Sequence, residues 1–212
     1  MARIVLFNKP YGVICQFSGD GSRPTLKNWI AVPEVYPAGR LDTDSEGLLV
    51  LTDDGRVQHR VAHPQRKLTK TYLVQVEGEP DSDALARLAG GVDVGPFVSQ
   101  PCTVREVGEP EWLWPRDPPV RFRKTVPTAW LEIDLHEGKN RQVRRMTAAV
   151  GLPTLRLIRI AVGPWRLDGL APGQWCEVAV PAGWRTAAPA ASATRPRDRR
   201  AVVKGAAVKS RR

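Results

Sequence analysis

The sequence predicts an α+β fold built on a largely antiparallel sheet, and three observations carry that prediction. Short apolar runs, alternating or continuous, recur along the chain and are closed by turn-forming dipeptides. Helical periodicity appears only in brief stretches between them. Glycine (18) and proline (19) are frequent enough among 212 residues to punctuate many connections. Strands and helices do not alternate as regular βαβ units, which argues against a parallel sheet.

Taken in order, Ile4 to Phe7 reads as a first strand ending at the Lys9-Pro10-Tyr11-Gly12 turn, with Val13 to Phe17 as its expected partner. A loop over 18–25 leads to a short helix at Leu26 to Ala31. Leu48 to Leu51 is a buried-strand run closed by Asp53-Asp54-Gly55, a hairpin or turn signal. Arg56 to Ala62 is helical and stops near Pro64. Thr71 to Glu77 is a strand with Tyr72, Val74 and Val76 on one face and Leu73, Gln75 and Glu77 on the other. Asp81 to Leu88 has an Asp/Ser cap and a Gly90-Gly91 stop, and so is a helix. Val98 to Val107 is a strand, and the proline-rich, basic stretch 115–127 a surface loop. Trp130 to His136 alternates, with Leu131, Ile133 and Leu135 inward and Trp130, Glu132, Asp134 and His136 outward. Gly138-Lys139-Asn140 turns into a helix over Arg141 to Val150. Leu155 to Val162 and Trp175 to Val180 complete the strands.

A chain of this length can bury one sizeable core or two closely packed lobes. Its net charge of +10 points to a polyanionic partner. The charge is uneven. Residues 186–212 hold eight basic side chains and one acid, Asp198, so that +3 of the +10 is left for residues 1–185. The reading is therefore one folded domain over 1–185 and a basic, disordered tail over 186–212. Binding of an anion by the folded part must come from local clustering. Cys15, Cys102 and Cys176 are scattered and odd in number, which fits a reducing cytoplasm and neither a disulfide framework nor a zinc site. The N-terminus reads as a strand and not a leader, and no apolar run is long enough to span a membrane. His59, His63 and His136 lack ligand spacing, and no phosphate-binding glycine motif occurs, so neither a metal nor a nucleotide cofactor is expected.

The most informative segment is 39–52, GRLDTDSEGLLVLT. A polar loop carrying Arg40, Asp42, Asp44 and Glu46 stands at the lip of an apolar strand, the way a rigid scaffold presents a reactive side chain. Three further segments carry chemistry. Lys67-Leu68-Thr69-Lys70-Thr71-Tyr72 sets an aromatic residue after a basic run. In Gly138 to Met146, Val143, Met146 and Val150 form an apolar stripe, while Arg141, Arg144 and Arg145 form a basic face. Three arginines at a helix N-terminus oppose its dipole and call for an anionic partner, either phosphates or a buried carboxylate. Leu155 to Gly163 reads as a buried strand with two basic residues, Arg156 and Arg159.

Together with Asn8-Lys9-Pro10-Tyr11-Gly12, these segments resemble, in order and across nearly all of residues 3 to 180, the motifs of the RNA pseudouridine synthases, in the form used by the ribosomal-RNA branch of that superfamily. The resemblance implies that family's catalytic fold, with a mixed sheet in two lobes around a central cleft. It implies Asp42 as the catalytic residue, Arg144 as its ion-pair partner, Tyr72 packed on the target base and Leu157 in the wall of the base pocket. Arg40, Lys70, Lys139, Arg141, Arg145 and Arg159 are then the candidates for holding RNA. Arg141 stands where many relatives carry histidine. The implied partner is ribosomal RNA, with 23S RNA or an assembling subunit expected, and the protein acts as a cytoplasmic monomer without cofactors. Many members carry an S4-type RNA-binding domain ahead of the catalytic region. With a catalytic strand beginning by Arg3 none is expected here, a layout similar to the E-type subgroup of large-subunit rRNA enzymes. Recognition would then fall to the catalytic domain, the 115–127 loop and the basic tail.

The implied chemistry suits these residues. Converting uridine to pseudouridine breaks N1–C1′, turns the uracil and joins C5 to C1′, with no redox step. A carboxylate serves as nucleophile or stabilises positive character at C1′, and an arginine partner favours its charged form where water is excluded. The base removing the C5 proton is not identified. Two other readings stay open at this point. One is a non-catalytic RNA-binding or ribosome-assembly factor on the same fold. The other is a carbohydrate-active hydrolase pairing Asp42 with Asp44 or Glu46, which the arginine helix and basic tail suit poorly.

Overall fold

Every residue of Glu46–Thr52 is buried, and this strand organises the molecule. The computed structural model describes residues 2–62, 68–121, 123 and 125–184. The tail expected over 186–212, and Lys67 of the third motif, lie outside them. In chain order the strands are β1 (Ile4–Lys9), β2 (Tyr36–Pro37), β3 (Glu46–Thr52), β4 (Lys70–Glu77), β5 (Thr103–Val107), β6 (Thr128–Leu135), β7 (Thr154–Val162), β8 (Trp165–Arg166) and β9 (Trp175–Val178). The helices are α1 (Gly55–Ala62), α2 (Ser82–Gly90) and α3 (Gln142–Ala149), with a 3-10 turn at Leu26–Asn28.

One mixed sheet runs β5-β6-β4-β7-β3-β1-β9, with β2 added to β3 and β8 to β7. Its pairings are antiparallel except at the join of β3 and β7, which is parallel and only two residues long: Glu46 faces Ile158 and Gly47 faces Arg159. This short seam divides the sheet into two lobes. It also demands glycine. Gly47 has φ +100°, and a Cβ there would lie 2.3 Å from the carbonyl oxygen of Arg159.

Both faces of the sheet are covered, so β3 reads as an unbroken apolar run instead of an alternation. Val5, Phe7, Leu49 and Leu51 pack against Val13, Leu26, Ile30 and Leu41 from the N-terminal connection. Ile4, Leu48, Val50, Leu73 and Ile158 pack on the other side with Val57 and Val61 of α1. A third cluster joins Tyr72, Val74 and Val76 of β4 to α2 and α3 through Leu88, Val143 and Met146. The caps of α2 follow its sequence: the Asp81 carboxylate accepts from the Ala84 N–H, and Gly91 closes the helix at φ +100°.

The structure differs from the sequence expectations in several places. Val13 to Phe17 is not a strand; β1 pairs instead with β3 and β9, because the C-terminal strand returns to cover its free edge. Asp53-Asp54-Gly55 makes no hairpin. Asp54 Oδ1 accepts from the N–H groups of Arg56 and Val57 and starts α1. Trp130 is buried against Leu73 and Ile160, not outward, since the second face of the sheet is also core. The helix expected at Leu26 to Ala31 shortens to the 3-10 turn, and the strand expected from Val98 begins at Thr103. The described part of 115–127 is irregular, and its Arg116 is turned inward, donating to the carbonyls of Pro118, Pro119 and Leu155 and lying over the Tyr11 ring. Among the described residues, no helix is long and apolar enough to cross a membrane.

Candidate active site

The loop 39–45 enters β3 under firm control of its backbone. The Gly12 N–H donates to the Thr43 carbonyl at 2.8 Å, and the Leu41 N–H reaches the buried Cys15 Sγ at 3.4 Å. Within the loop, the Ser45 N–H donates to the Asp42 carbonyl at 3.0 Å, closing a tight turn. Leu41 is buried in the core while its neighbours Arg40 and Asp42 face outward, so the apolar residue anchors the two charged ones. Here the Asn8-to-Gly12 motif earns a role: it holds the loop in place.

Asp42 opens into a cavity of about 280 Å³ at the seam between the lobes. Tyr72 of β4, Leu157 and Arg159 of β7, Lys70, and Lys139, Arg141 and Val143 around the start of α3 share the lining. A break in the β4–β7 register sits at this point, between Thr71 and Tyr72, and sets Tyr72 opposite Arg159. Bulges of this kind re-aim side chains beside active sites. Ser45 also lines the cavity, and its buried hydroxyl has no hydrogen-bond partner among the described residues.

The electrostatics depart from the expected pairing. Arg144 does not pair with Asp42. Its Nε lies 3.4 Å from Asp44 Oδ2 and its Nη2 donates to the Asp44 carbonyl at 2.7 Å. Arg141 adds a two-pronged contact to the same carboxylate, at 3.0 and 2.8 Å, and approaches Asp42 Oδ2 only to 3.8 Å. The reason is local geometry. Arg141 is the N-cap of α3 in the left-handed conformation, φ +51° and ψ +33°, which turns its side chain back across the loop. Burial works to raise the Asp44 carboxyl, but the hydrogen bond from Arg141 and the charges of Arg144 and Arg141 outweigh it and hold the group below its usual range. Asp42 is left with its side chain 38% exposed and no short ion pair.

The other sequence candidates separate into three places. Arg40, Lys139 and Arg141 are exposed at the cavity rim. Lys70 and Arg159 are inside it. Arg159 is only 4% exposed, so its guanidinium is not a surface phosphate contact. Lys70 donates to the Leu68 carbonyl, and burial, with the charge of Arg159, lowers its pKa. Arg145 stands on α3 away from the cavity lining and is half-buried.

Sequence reasoning passed over two features. Glu46 is no loop residue: it is buried at the head of β3, bound by Arg156 through two contacts at 2.8 and 2.9 Å and by the Trp114 indole at 2.9 Å. A carboxylate inside an apolar strand requires such a partner, and Arg156 inside β7 was the matching signal. Glu137 likewise accepts from Gln142 and from the Gln100 N–H, fixing the turn that carries Lys139. Among the described residues, no group of three or more His, Cys, Asp or Glu side chains could hold a metal ion.

A family model described as RNA pseudouridylate synthase matches residues 3–149. The ribosomal large subunit pseudouridine synthase E of Xanthomonas campestris pv. campestris is 58% identical over 174 residues, covering 81% of this chain and 93% of that protein. Its namesake in Vibrio vulnificus is 50% identical over 179 residues, covering 84% and 76%. Among solved structures, a crystal structure of pseudouridylate synthase superposes with a TM-score of 0.69 at 26% identity, covering 84% of this chain and 71% of that one.

Proposed function

The chain belongs to the RNA pseudouridylate synthase family, and from that membership we propose that it isomerises a uridine of large-subunit (23S) ribosomal RNA to pseudouridine, with Asp42 as the catalytic carboxylate. The observation that carries the residue assignment is the position of Asp42. Its carboxylate is partly open at a cavity large enough for one nucleoside, and the neighbouring arginines Arg141 and Arg144 bind Asp44 more closely. A carboxylate without a short ion pair keeps its oxygens available for C1′.

The target uridine leaves its stack and enters the cavity. Tyr72 and Leu157 pack on the uracil, while Arg40, Lys139 and Arg141 at the rim take the flanking phosphates. The N1–C1′ bond breaks with its electron pair going to uracil, and Asp42 either bonds C1′ or stabilises its positive character. The uracil turns, C5 bonds C1′, C5 loses its proton and N1 gains one. Arg144 acts indirectly, by fixing the loop through Asp44. The protein works as a cytoplasmic monomer on rRNA or an assembling subunit.

The test is Asp42→Asn, assayed on 23S RNA from cells lacking the protein. Pseudouridine formation is expected to fall at least about 10³-fold, with RNA affinity within about threefold of the parent. Substantial activity in the variant would sink the catalytic assignment. A new pseudouridine mapping only to small-subunit RNA would overturn the substrate.

A further inference from the structure

The cavity beside Asp42 is strongly cationic. Among its described lining residues are five basic side chains, Arg40, Lys70, Lys139, Arg141 and Arg159, and one acid, Asp42. The rim residues have phosphates to meet, but Arg159 does not. It lies within β7, two residues from Leu157 on the same face and opposite Tyr72, against the surfaces that receive the base. Its residue exposure is 4%, and none of the ion pairs among the described residues includes it. Nε donates to the Leu48 carbonyl at 2.8 Å and Nη1 reaches the Arg40 carbonyl only at 3.5 Å. A guanidinium has five N–H donors, so these two bonds leave most of its donor capacity unused, and Arg159 lines the cavity. An unpaired buried charge is costly to keep in a fold, and such costs concentrate at functional sites.

We propose that Arg159 is a further catalytic residue, whose guanidinium contacts the carbonyl edge of the uracil and holds the negative charge the base acquires when it leaves C1′. The inference rests on the pseudouridine-forming reading above and names the group that reading lacks. When N1–C1′ breaks, both electrons depart with the base, and the charge spreads over N1, O2 and O4. Donors fixed in a water-excluded cavity act most strongly on charge that develops only in the transition state. Asp42 serves the sugar end of the breaking bond and Arg159 the base end. After the uracil turns, C5 attacks C1′ and the Asp42 carboxylate is released. C5 then loses its proton and N1 gains one, so the product is an isomer of the substrate. Lys70, half-buried beside Arg159, adds a second positive charge to the same wall.

A leaving-group comparison tests this. RNA carrying 5-fluorouridine at the target gives a more acidic, better-stabilised departing base, so it needs less help from a cation. With Arg159→Met in single turnover, conversion of uridine is expected to fall about 10²- to 10³-fold, and glycosidic cleavage at 5-fluorouridine at most about tenfold. RNA affinity is expected to stay within about threefold. Arg159→Lys, which keeps the charge but not the fork, carries the same comparison if the Met variant does not fold, with about a tenfold loss on uridine and a clearly smaller one on 5-fluorouridine. Equal losses on the two substrates would mean that Arg159 only props the loop through Leu48 and Arg40, and would overturn the proposal. So would a loss confined to RNA affinity. A parent protein inert on both RNAs would instead overturn the pseudouridine-forming reading, a result distinguishable from either of these.

Discussion

Arg144 grips Asp44 at two points, its Nε 3.4 Å from the carboxylate and its Nη2 donating to the backbone carbonyl at 2.7 Å. A second donation, from Nη1 to the Thr154 carbonyl, ties the same guanidinium to the start of β7. One arginine thus joins α3, the loop and the sheet. Asp42 sits two residues from the gripped position, inside the turn closed by the Ser45 N–H. Loop geometry is therefore set by Asp44, and Asp42 inherits it.

Asp44→Asn keeps the shape of that carboxylate and removes its charge. The expected result is a fall in kcat of about tenfold with little change in KM, because the loop loosens without losing RNA contacts. Stability should drop by about 1 kcal/mol at pH 7, a figure kept small because a third of the side chain is open to solvent. The folded-state pKa lies below the unfolded one, so this contribution is present above the unfolded value and lost as pH falls through the folded value. Urea unfolding of parent and variant should show a gap at pH 7 that closes as pH falls below the ordinary carboxylate range. A gap that widens in acid would contradict the assignment.

Glu46 and Arg156 form a buried pair, with side chains 2% and 5% exposed, roofed by Trp114 whose carbonyl also accepts from Arg156 Nη1. Removing one partner strands the other. Arg156→Met should cost about 3–5 kcal/mol, while Glu46→Leu combined with Arg156→Met should recover most of that loss. Denaturant titration of both variants decides it, and a neutral single substitution would show that the pair is already solvated.

The parts legible in the sequence were those governed by local rules. Asp81 and Gly91 announce α2 because caps act within one turn. The alternation at Leu131, Ile133 and Leu135 announces β6, since its period belongs to the strand itself. The charged loop at the lip of β3 was legible because polar groups beside an apolar strand stand out, and its Arg40 and Asp42 do line the cavity. Arg144 found the wrong partner in the sequence reading because two aspartates lie two residues apart. Arg141 engages the same Asp44 from a left-handed backbone, a conformation disfavoured for any residue but glycine and not signalled by its neighbours. Trp130 was misplaced for another reason. Alternation divides a strand into two faces but does not say whether the second face meets water or a second layer of core.

Lys9 gives the sharpest pH signature. It is fully buried, with Nζ donating to the carbonyls of Pro10 and Val13. Burial pushes its pKa down to about 8, nearby Cys15 and the carboxylates Glu46, Asp44 and Asp42 offsetting only part of that effect. An unfolded lysine titrates near 10.4. Between those values the unfolded chain binds more protons than the folded one, so stability rises with pH across the window. The gain is fully present above the unfolded value and lost as pH falls through about 8. Its size is about 3 kcal/mol, from 1.36 kcal/mol for each pKa unit. Unfolding free energies of the parent and of Lys9→Met, measured every half unit from about pH 7 to pH 10, should therefore diverge in slope above pH 8. Parallel curves would mean that Lys9 keeps its proton throughout, and that its neighbours fully compensate its burial.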